Sequence, residues 1–105
     1  SRPTKFLVIN APHNPTGWYP TVDEHSRMVE LCAKHGVSLF NDEVYRGLEW
    51  GKQNAAACDT SPKGVTLGVL SKAQGLAGLR LGWLASKDHQ LLDRCAELKL
   101  YLSIC

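Results

Sequence analysis

Apolar residues in this chain fall into short runs separated by polar, glycine- and proline-bearing stretches, and the period changes from run to run. Lys5 to Asn10 (K-F-L-V-I-N) is a brief aromatic and β-branched run closed by a turn signal, the pattern of a buried strand. Ala11 to Pro20 holds three prolines and one glycine and predicts an ordered loop. Thr21-Val22-Asp23-Glu24 then forms a capping box, in which Thr21 covers an orphan amide and Glu24 reaches back. The helix it opens carries Met28, Val29, Leu31 and Cys32 on or near one face and stops at Gly36. Val37 to Asn41 predicts a second strand, ending at Asp42. Glu49 to Gly64 has no clear period and contains Gly51, Pro62 and Gly64, so it reads as a loop with room for a short helical turn. Val65 to Leu70 is a third predicted strand and Leu81 to Ala85 (L-G-W-L-A) a fourth. Ser86 is the predicted N-cap of a last helix, whose Leu91, Leu92, Cys95, Leu98 and Leu102 recur at helical spacing.

Buried strands alternating with amphipathic helices imply an α/β layered domain with a mainly parallel sheet. Ligands of such sheets bind at the carboxyl ends of the strands. Asn10 onward, Asp42 and Ser71-Lys72 all fall there, so three polar clusters converge on one edge. Composition adds limits. A length of 105 residues suits one small domain, and 44% hydrophobic with 21% charged residues is ordinary for a soluble globular protein. A net charge of +2 without a basic stripe argues against nucleic acid. No run reaches the ~18 apolar residues of a membrane span. The apolar stretch Phe6 to Ile9 is too short for a signal-peptide core. Cys32, Cys58, Cys95 and Cys105 lie far apart, and neither they nor His13, His25, His35 and His89 have metal-binding spacing. Reduced thiols in a cytoplasmic protein without a metal site are the expectation. The chain lacks an initiator methionine, and it runs out at Ile104-Cys105 directly after a helical pattern with no cap. Together with the unpaired edges that so small a parallel sheet leaves, this suggests an internal piece of a longer protein.

The candidate chemistry centres on Ser71-Lys72-Ala73-Gln74-Gly75-Leu76-Ala77-Gly78-Leu79-Arg80. Lys72 follows an apolar strand directly, in a context that predicts burial, and lysine is almost never buried unless paired or chemically employed. One such employment is condensation with an aldehyde, the bond by which pyridoxal phosphate is held to its enzymes. Arg80 would then supply the positive charge that a phosphate needs. Gly75, Gly78 and Gly82 match neither nucleotide-loop spacing, and a tight reversal returning Arg80 to the strand end is the better reading. Taken singly, Asn14-Pro15-Thr16-Gly17 is an ordinary turn, Asp42 a cap, Tyr45 a packing residue, Lys72 a surface lysine and Arg80 an ion-pair partner. Their joint occurrence is not explained by independent accidents.

Asn14-Pro15-Thr16-Gly17, Asp42-Glu43-Val44-Tyr45 and Ser71-Lys72 with Arg80, in that order, resemble the class I/II aminotransferases, which are fold-type-I pyridoxal-phosphate enzymes. The resemblance covers nearly the whole chain. It implies a three-layer α/β/α fold with a mainly parallel sheet, part of the large domain of the aspartate-aminotransferase-like fold. Residues 1–105 would be a portion of that cofactor-binding domain, with the small domain absent. Lys72 then matches the lysine that holds the cofactor aldehyde and afterwards shuttles a proton at the substrate's α-carbon. Asp42 matches the acid paired with the pyridine nitrogen, and Tyr45 and Asn14 match the donors to the cofactor's ring oxygen. Arg80 matches the phosphate-binding arginine, and a cis bond is expected before Pro15. Many family members have a small residue, often serine, three positions before the lysine. Here Val69 stands there and cannot donate, which leaves Ser71 as the candidate phosphate contact.

The resemblance further implies an amino acid and a 2-oxo acid as substrates and a homodimer when full length, with no nucleic acid or membrane partner. The same parts also serve carbon–sulfur lyases, cyclases and decarboxylases of this fold, and aminotransferase-like effector domains of transcription regulators. Outside the site, Trp18, Trp50 and Trp83 read as packing residues and His13 as a loop-stiffening group. Glu43 reads as an orienting residue for the turn of Tyr45.

Overall fold

A computed structural model of the chain describes residues 3–103, so Ile104 and Cys105 lie outside the described residues. The elements run β1 (Phe6–Asn10), α1 (Val22–His35), β2 (Ser38–Asp42), α2 (Ala57–Thr60), β3 (Val65–Val69), a 3-10 turn (Ala77–Leu79), β4 (Gly82–Ser86) and α3 (His89–Leu102). The sheet order is β1-β2-β3-β4; the first three strands are parallel and β4 returns antiparallel to β3.

Register assigns the faces, because successive side chains of a strand alternate. Leu7 and Ile9 pair with Leu39 and Asn41, and Asn41 pairs with Thr66. On this face Cys32 of α1 and Ala57 of α2 close over Leu39, with Leu7, Ile9, Val29 and Val37 around them. Leu39 and Val65 are the largest fully buried side chains, each contributing roughly 2 kcal/mol of burial. Leu67 and Leu84 pair on the opposite face, where Leu92 and Cys95 of α3 line a groove of about 610 Å³ with them. Helices on both faces make the expected three layers. The β1 part of the second face is open, with Phe6 exposed and Val8 67% exposed.

Local chemistry sets the element ends. Thr21 Oγ1 accepts from the Glu24 amide, and Glu24 Oε2 accepts from the Thr21 amide at 2.8 Å, completing the predicted capping box. These bonds hold the Glu24 carboxyl below its usual range. Gly36 ends α1 in the left-handed region at φ 66°, where a side chain would be strained. The predicted cap of α3 is displaced. Asp88, not Ser86, accepts from the Leu91 amide, at 3.0 Å. Ser86 still belongs to β4, and its hydroxyl is committed to donating to the Gly64 carbonyl at 2.7 Å.

The three tryptophans divide. Trp83 lies against Gly68 so closely that a Cβ there would stand 2.4 Å from its indole. Trp18 is half-exposed, and Trp50 is fully exposed at the bend before Gly51, so the packing expectation fails for Trp50.

Gly64 admits no side chain, because its Cβ would stand 1.8 Å from the Ala57 carbonyl oxygen. Gly64→Ala must push α2 off the sheet and is expected to cost about 2–3 kcal/mol, read as a lowered urea midpoint. Gly78→Ala, whose Cβ meets open space, is expected to change stability by less than about 1 kcal/mol.

His25 is buried in α1 and its Nε2 has no hydrogen-bond partner among the described residues. Burial lowers its pKa below 6.5, with Glu43 opposing and Arg46 reinforcing. The unfolded chain therefore binds the proton more readily. The His25 contribution is complete above the unfolded value near 6.5 and is lost as pH falls below it. Urea midpoints between about pH 7 and pH 5.5 should fall in the wild type and fall less in His25→Gln.

Candidate active site

At the carboxyl edge of the sheet β1 and β2 end level at Asn10 and Asp42, on the rung that Leu67 shares, and β3 runs on from there to Val69. Three chain segments leave from that edge, and backbone groups stitch them together. The Ala11 amide donates to the Asp42 carbonyl at 3.1 Å, and the Glu43 amide donates to the Leu67 carbonyl at 2.9 Å.

The first segment is the loop from Ala11 to Pro20. Its shape is held by the Gly17 amide donating to the His13 carbonyl and by His13 Nδ1 meeting Thr16 Oγ1 at 2.7 Å, which is the loop-stiffening role expected of His13. The Ala11-Pro12 and Asn14-Pro15 bonds are both cis, the second as expected. Asn10 ties this loop to its neighbour. Its Nδ2 donates to the Asp42 carbonyl at 3.0 Å while its Oδ1 accepts from the Asn14 amide at 3.3 Å.

The second segment is the turn from Glu43 to Leu48. Asp42 Oδ1 accepts from the Val44 amide at 3.2 Å, and the Arg46 amide donates to the Glu43 carbonyl. Tyr45 projects from this turn so that its phenol oxygen accepts from Asn14 Nδ2 at 3.0 Å. The third segment leaves β3 at Leu70. The Gly75 amide donates to the Lys72 carbonyl at 2.9 Å and the Leu76 amide to the Leu70 carbonyl at 3.0 Å, folding the chain back. Lys72 Nζ thereby stands 5.3 Å from the centroid of the Tyr45 ring, within cation–π reach.

Asn14, Tyr45 and Lys72 are therefore brought together from three segments, with Asp42 at the strand end beside them. Lys72 is exposed, contrary to the burial its apolar context predicts. β3 ends at Val69, so Lys72 already lies in the turn that projects off the edge of the sheet. Arg80 is exposed in the left-handed region at φ 53°, a conformation uncommon for a residue with a side chain, and donates to the Ala77 carbonyl at 3.2 Å. Ser71 is partly buried on the same segment. Among the described residues no hydrogen bond joins Ser71 or Arg80 to Asn14, Tyr45 or Lys72.

Two residues do more here than their sequence context tells. Asn10 stands at the strand edge as expected, and its amide bonds in both directions, to the Asp42 carbonyl and from the Asn14 amide. Glu43 reads from the sequence as orienting the turn of Tyr45, but a carboxylate inside an otherwise turn-like stretch gives no sign of its burial, 3% exposed behind the turn.

The family described as aminotransferase class I and II matches residues 1–102. The chain belongs to the class I and II aminotransferases. A probable kynurenine–oxoglutarate transaminase of Saccharomyces cerevisiae is 34% identical over 97% of this chain and 23% of its own length. The aspartate aminotransferase of Geobacillus stearothermophilus is 34% identical over 78% of this chain and 22% of its own. This aminotransferase chain thus spans less than a quarter of the length of the curated relatives it matches. Among solved structures, a PLP-dependent aminotransferase from Streptococcus suis superposes with a TM-score of 0.86 at 33% identity, over all of this chain and 28% of that one. The aspartate aminotransferase of Thermotoga maritima superposes at 0.85 with 27% identity, over 97% and 28%. The fold is accordingly aspartate-aminotransferase-like.

Asn10→Ala removes both side-chain bonds between the loop and the β2 end. It is expected to cost about 1–2 kcal/mol and to speed hydrogen exchange at the Asn14 amide, read by urea titration and by exchange NMR or mass spectrometry.

Proposed function

We propose that this chain is part of the large, cofactor-binding domain of a pyridoxal-phosphate-dependent aminotransferase that moves an amino group between an amino acid and a 2-oxo acid. The observation that carries the reading is the Lys72 amine over the Tyr45 ring, with the Asn14 amide on the Tyr45 oxygen, at the carboxyl edge of a parallel sheet. Family membership supports it, as does the Streptococcus suis relative, a PLP-dependent aminotransferase. The names of two relatives, kynurenine–oxoglutarate transaminase and valine–pyruvate aminotransferase, each pair an amino acid with a 2-oxo acid.

The donor set suits the cofactor. Lys72 offers a primary amine for an aldehyde, and Asp42 offers a carboxylate for a protonated ring nitrogen. Asn14 and Tyr45 converge as hydrogen-bond groups for a ring oxygen. Arg80, with Ser71, supplies a forked cation and a hydroxyl on the segment that follows Lys72, the groups that suit a phosphate. When bound, pyridoxal phosphate supplies an aldehyde and a ring that accepts electrons. Lys72 holds that aldehyde and, once free of it, carries the proton at the substrate α-carbon. Asp42 keeps a positive charge on the ring nitrogen by its own negative charge. Tyr45 and Asn14 steady negative charge on the ring oxygen. We place the full-length protein in the cytoplasm as a homodimer, the state implied by the resemblance.

Borohydride reduction of the full-length protein loaded with cofactor, followed by peptide mass mapping, is expected to find a pyridoxyl group on Lys72. Lys72→Ala should retain some cofactor yet lose turnover by at least ~100-fold. An adduct on another lysine, or none after loading, refutes the assignment. Product identification with a panel of amino acids should yield the matching 2-oxo acids; elimination or decarboxylation products would point to a different reaction.

A further inference from the structure

Asn14 and Tyr45 meet across a 3.0 Å hydrogen bond at the front of the edge, Asn10 ties the two segments at the strand end, and the same segments are joined again from behind. Glu43 begins the Tyr45 turn and points to the α1/α2 face, where it is 3% exposed. A carboxylate out of water needs donors, and this one has three. Glu43 Oε1 accepts from the Ala57 amide at 2.9 Å and from Thr66 Oγ1 at 3.0 Å, and Oε2 accepts from Arg46 Nη1 at 2.8 Å. It is thereby fixed to α2 and to β3 at once.

Arg46, the residue after Tyr45, carries the link onward. Its Nη2 donates to the Asn54 carbonyl at 3.1 Å. Asn54 in turn donates through its amide to the Tyr19 hydroxyl at 2.8 Å and through Nδ2 to the Pro20 carbonyl at 2.8 Å. Tyr19 and Pro20 close the loop in which Asn14 stands. Burial raises the Tyr19 pKa, so its hydroxyl keeps the proton while accepting from Asn54. A closed ring of bonds runs from Asn14 along its loop to Tyr19 and Pro20, then through Asn54, Arg46 and Glu43 to Tyr45, and back across to Asn14. Each charged member is matched, which makes the ring stiff, because moving one segment strands a buried polar group on the other.

We propose that Glu43, acting through Arg46 and Asn54, is the positioning residue that sets where the Tyr45 oxygen and the Asn14 amide stand relative to Lys72. The proposal rests on the reading of Asn14 and Tyr45 as donors to the cofactor's ring oxygen. Among the described residues no side-chain hydrogen bond joins Glu43 to Lys72, Asn14 or Asp42, and its bonds reach the site through the Tyr45 turn and the loop that carries Asn14.

The test uses the full-length holoprotein, with incorporation at Lys72 established first by reduction and mass mapping. Failure at that stage refutes the cofactor reading, and the proposal about Glu43 is judged only on protein that passes it. The readout is the pH midpoint of the visible absorbance change of the bound cofactor, which follows stabilisation of negative charge on the ring oxygen. Tyr45→Phe sets the reference shift. Glu43→Gln is expected to raise the midpoint by about half a unit or more, and Glu43→Gln with Tyr45→Phe to shift it no further than Tyr45→Phe alone. Thr66→Val removes one of the three donors while keeping the carboxylate, and also loses the bond that the same hydroxyl accepts from the Cys58 amide. This variant should shift the midpoint in the same direction by a smaller amount. It is read by the same criterion if Glu43→Gln does not fold. A purely structural Glu43 would lower the thermal midpoint and leave the absorbance midpoint in place. That result, or a double variant whose shift is the sum of the two single shifts, overturns the proposal.

Discussion

The Glu43 carboxylate, withdrawn from water behind the sheet edge, is the constraint on which the candidate site depends. Its two oxygens are matched by a helix amide, a strand hydroxyl and a guanidinium, which brings α2, β3 and the Tyr45 turn to one point. Breaking a buried charge pair by removing one member costs far more than the pair contributes over apolar packing. The arrangement therefore acts less as a source of stability than as a restriction on alternative arrangements. The front of the edge is open and exposed; the back is closed and matched. Side chains that would otherwise sample many positions are held by their attachments rather than by their own packing.

Much of the fold is legible in the residues, because its elements are bounded by strong local chemistry. The capping box at Thr21 and the left-handed Gly36 delimit α1 as the pattern predicts. Each predicted strand falls within a residue of the observed one, because β-branched and aromatic runs between turn residues leave little choice. Asp42 and Ser71-Lys72 fall at the carboxyl edge by the same logic, since a polar residue at a strand end has only one edge to occupy. Tyr45, three residues past the strand, is legible only through the resemblance. The burial expected of Lys72 fails: the apolar character of β3 suggests it, but past Val69 the chain has already left the sheet. Ser86 is not the cap because it still belongs to β4, where its hydroxyl donates to the Gly64 carbonyl and accepts from the Asp88 amide, and α3 opens two residues later on Asp88. Glu43 illustrates the general limit. Whether a carboxylate is solvated or buried depends on partners distant in the chain, here Ala57 and Thr66, and no local pattern contains them.

The two faces of the sheet differ in completeness. On the α1/α2 side, apolar contacts and the hydrogen-bonded ring close the interior around Leu39. On the other side α3 covers β4, while Phe6 and Val8 stay open to solvent and α3 itself presents Leu98, Leu100 and Leu102 outward. The candidate site lies at the end of the sheet, so its bonding is anchored in the completed side. The relative position of Asn14 and Tyr45 thus draws on the best-packed part of the chain, while the Lys72 segment is tied to the start of β4 through the Leu70 amide donating to the Leu81 carbonyl.

Gly68 and Trp83 face one another across β3 and β4, with the indole occupying the space a side chain at 68 would need. A methyl group at 68 collides unless the half-exposed indole swings outward, and a smaller residue at 83 uncovers the backbone of β3. The size tolerated at 68 therefore depends on the side chain at 83, a steric coupling between two strands on the stretch immediately ahead of Lys72.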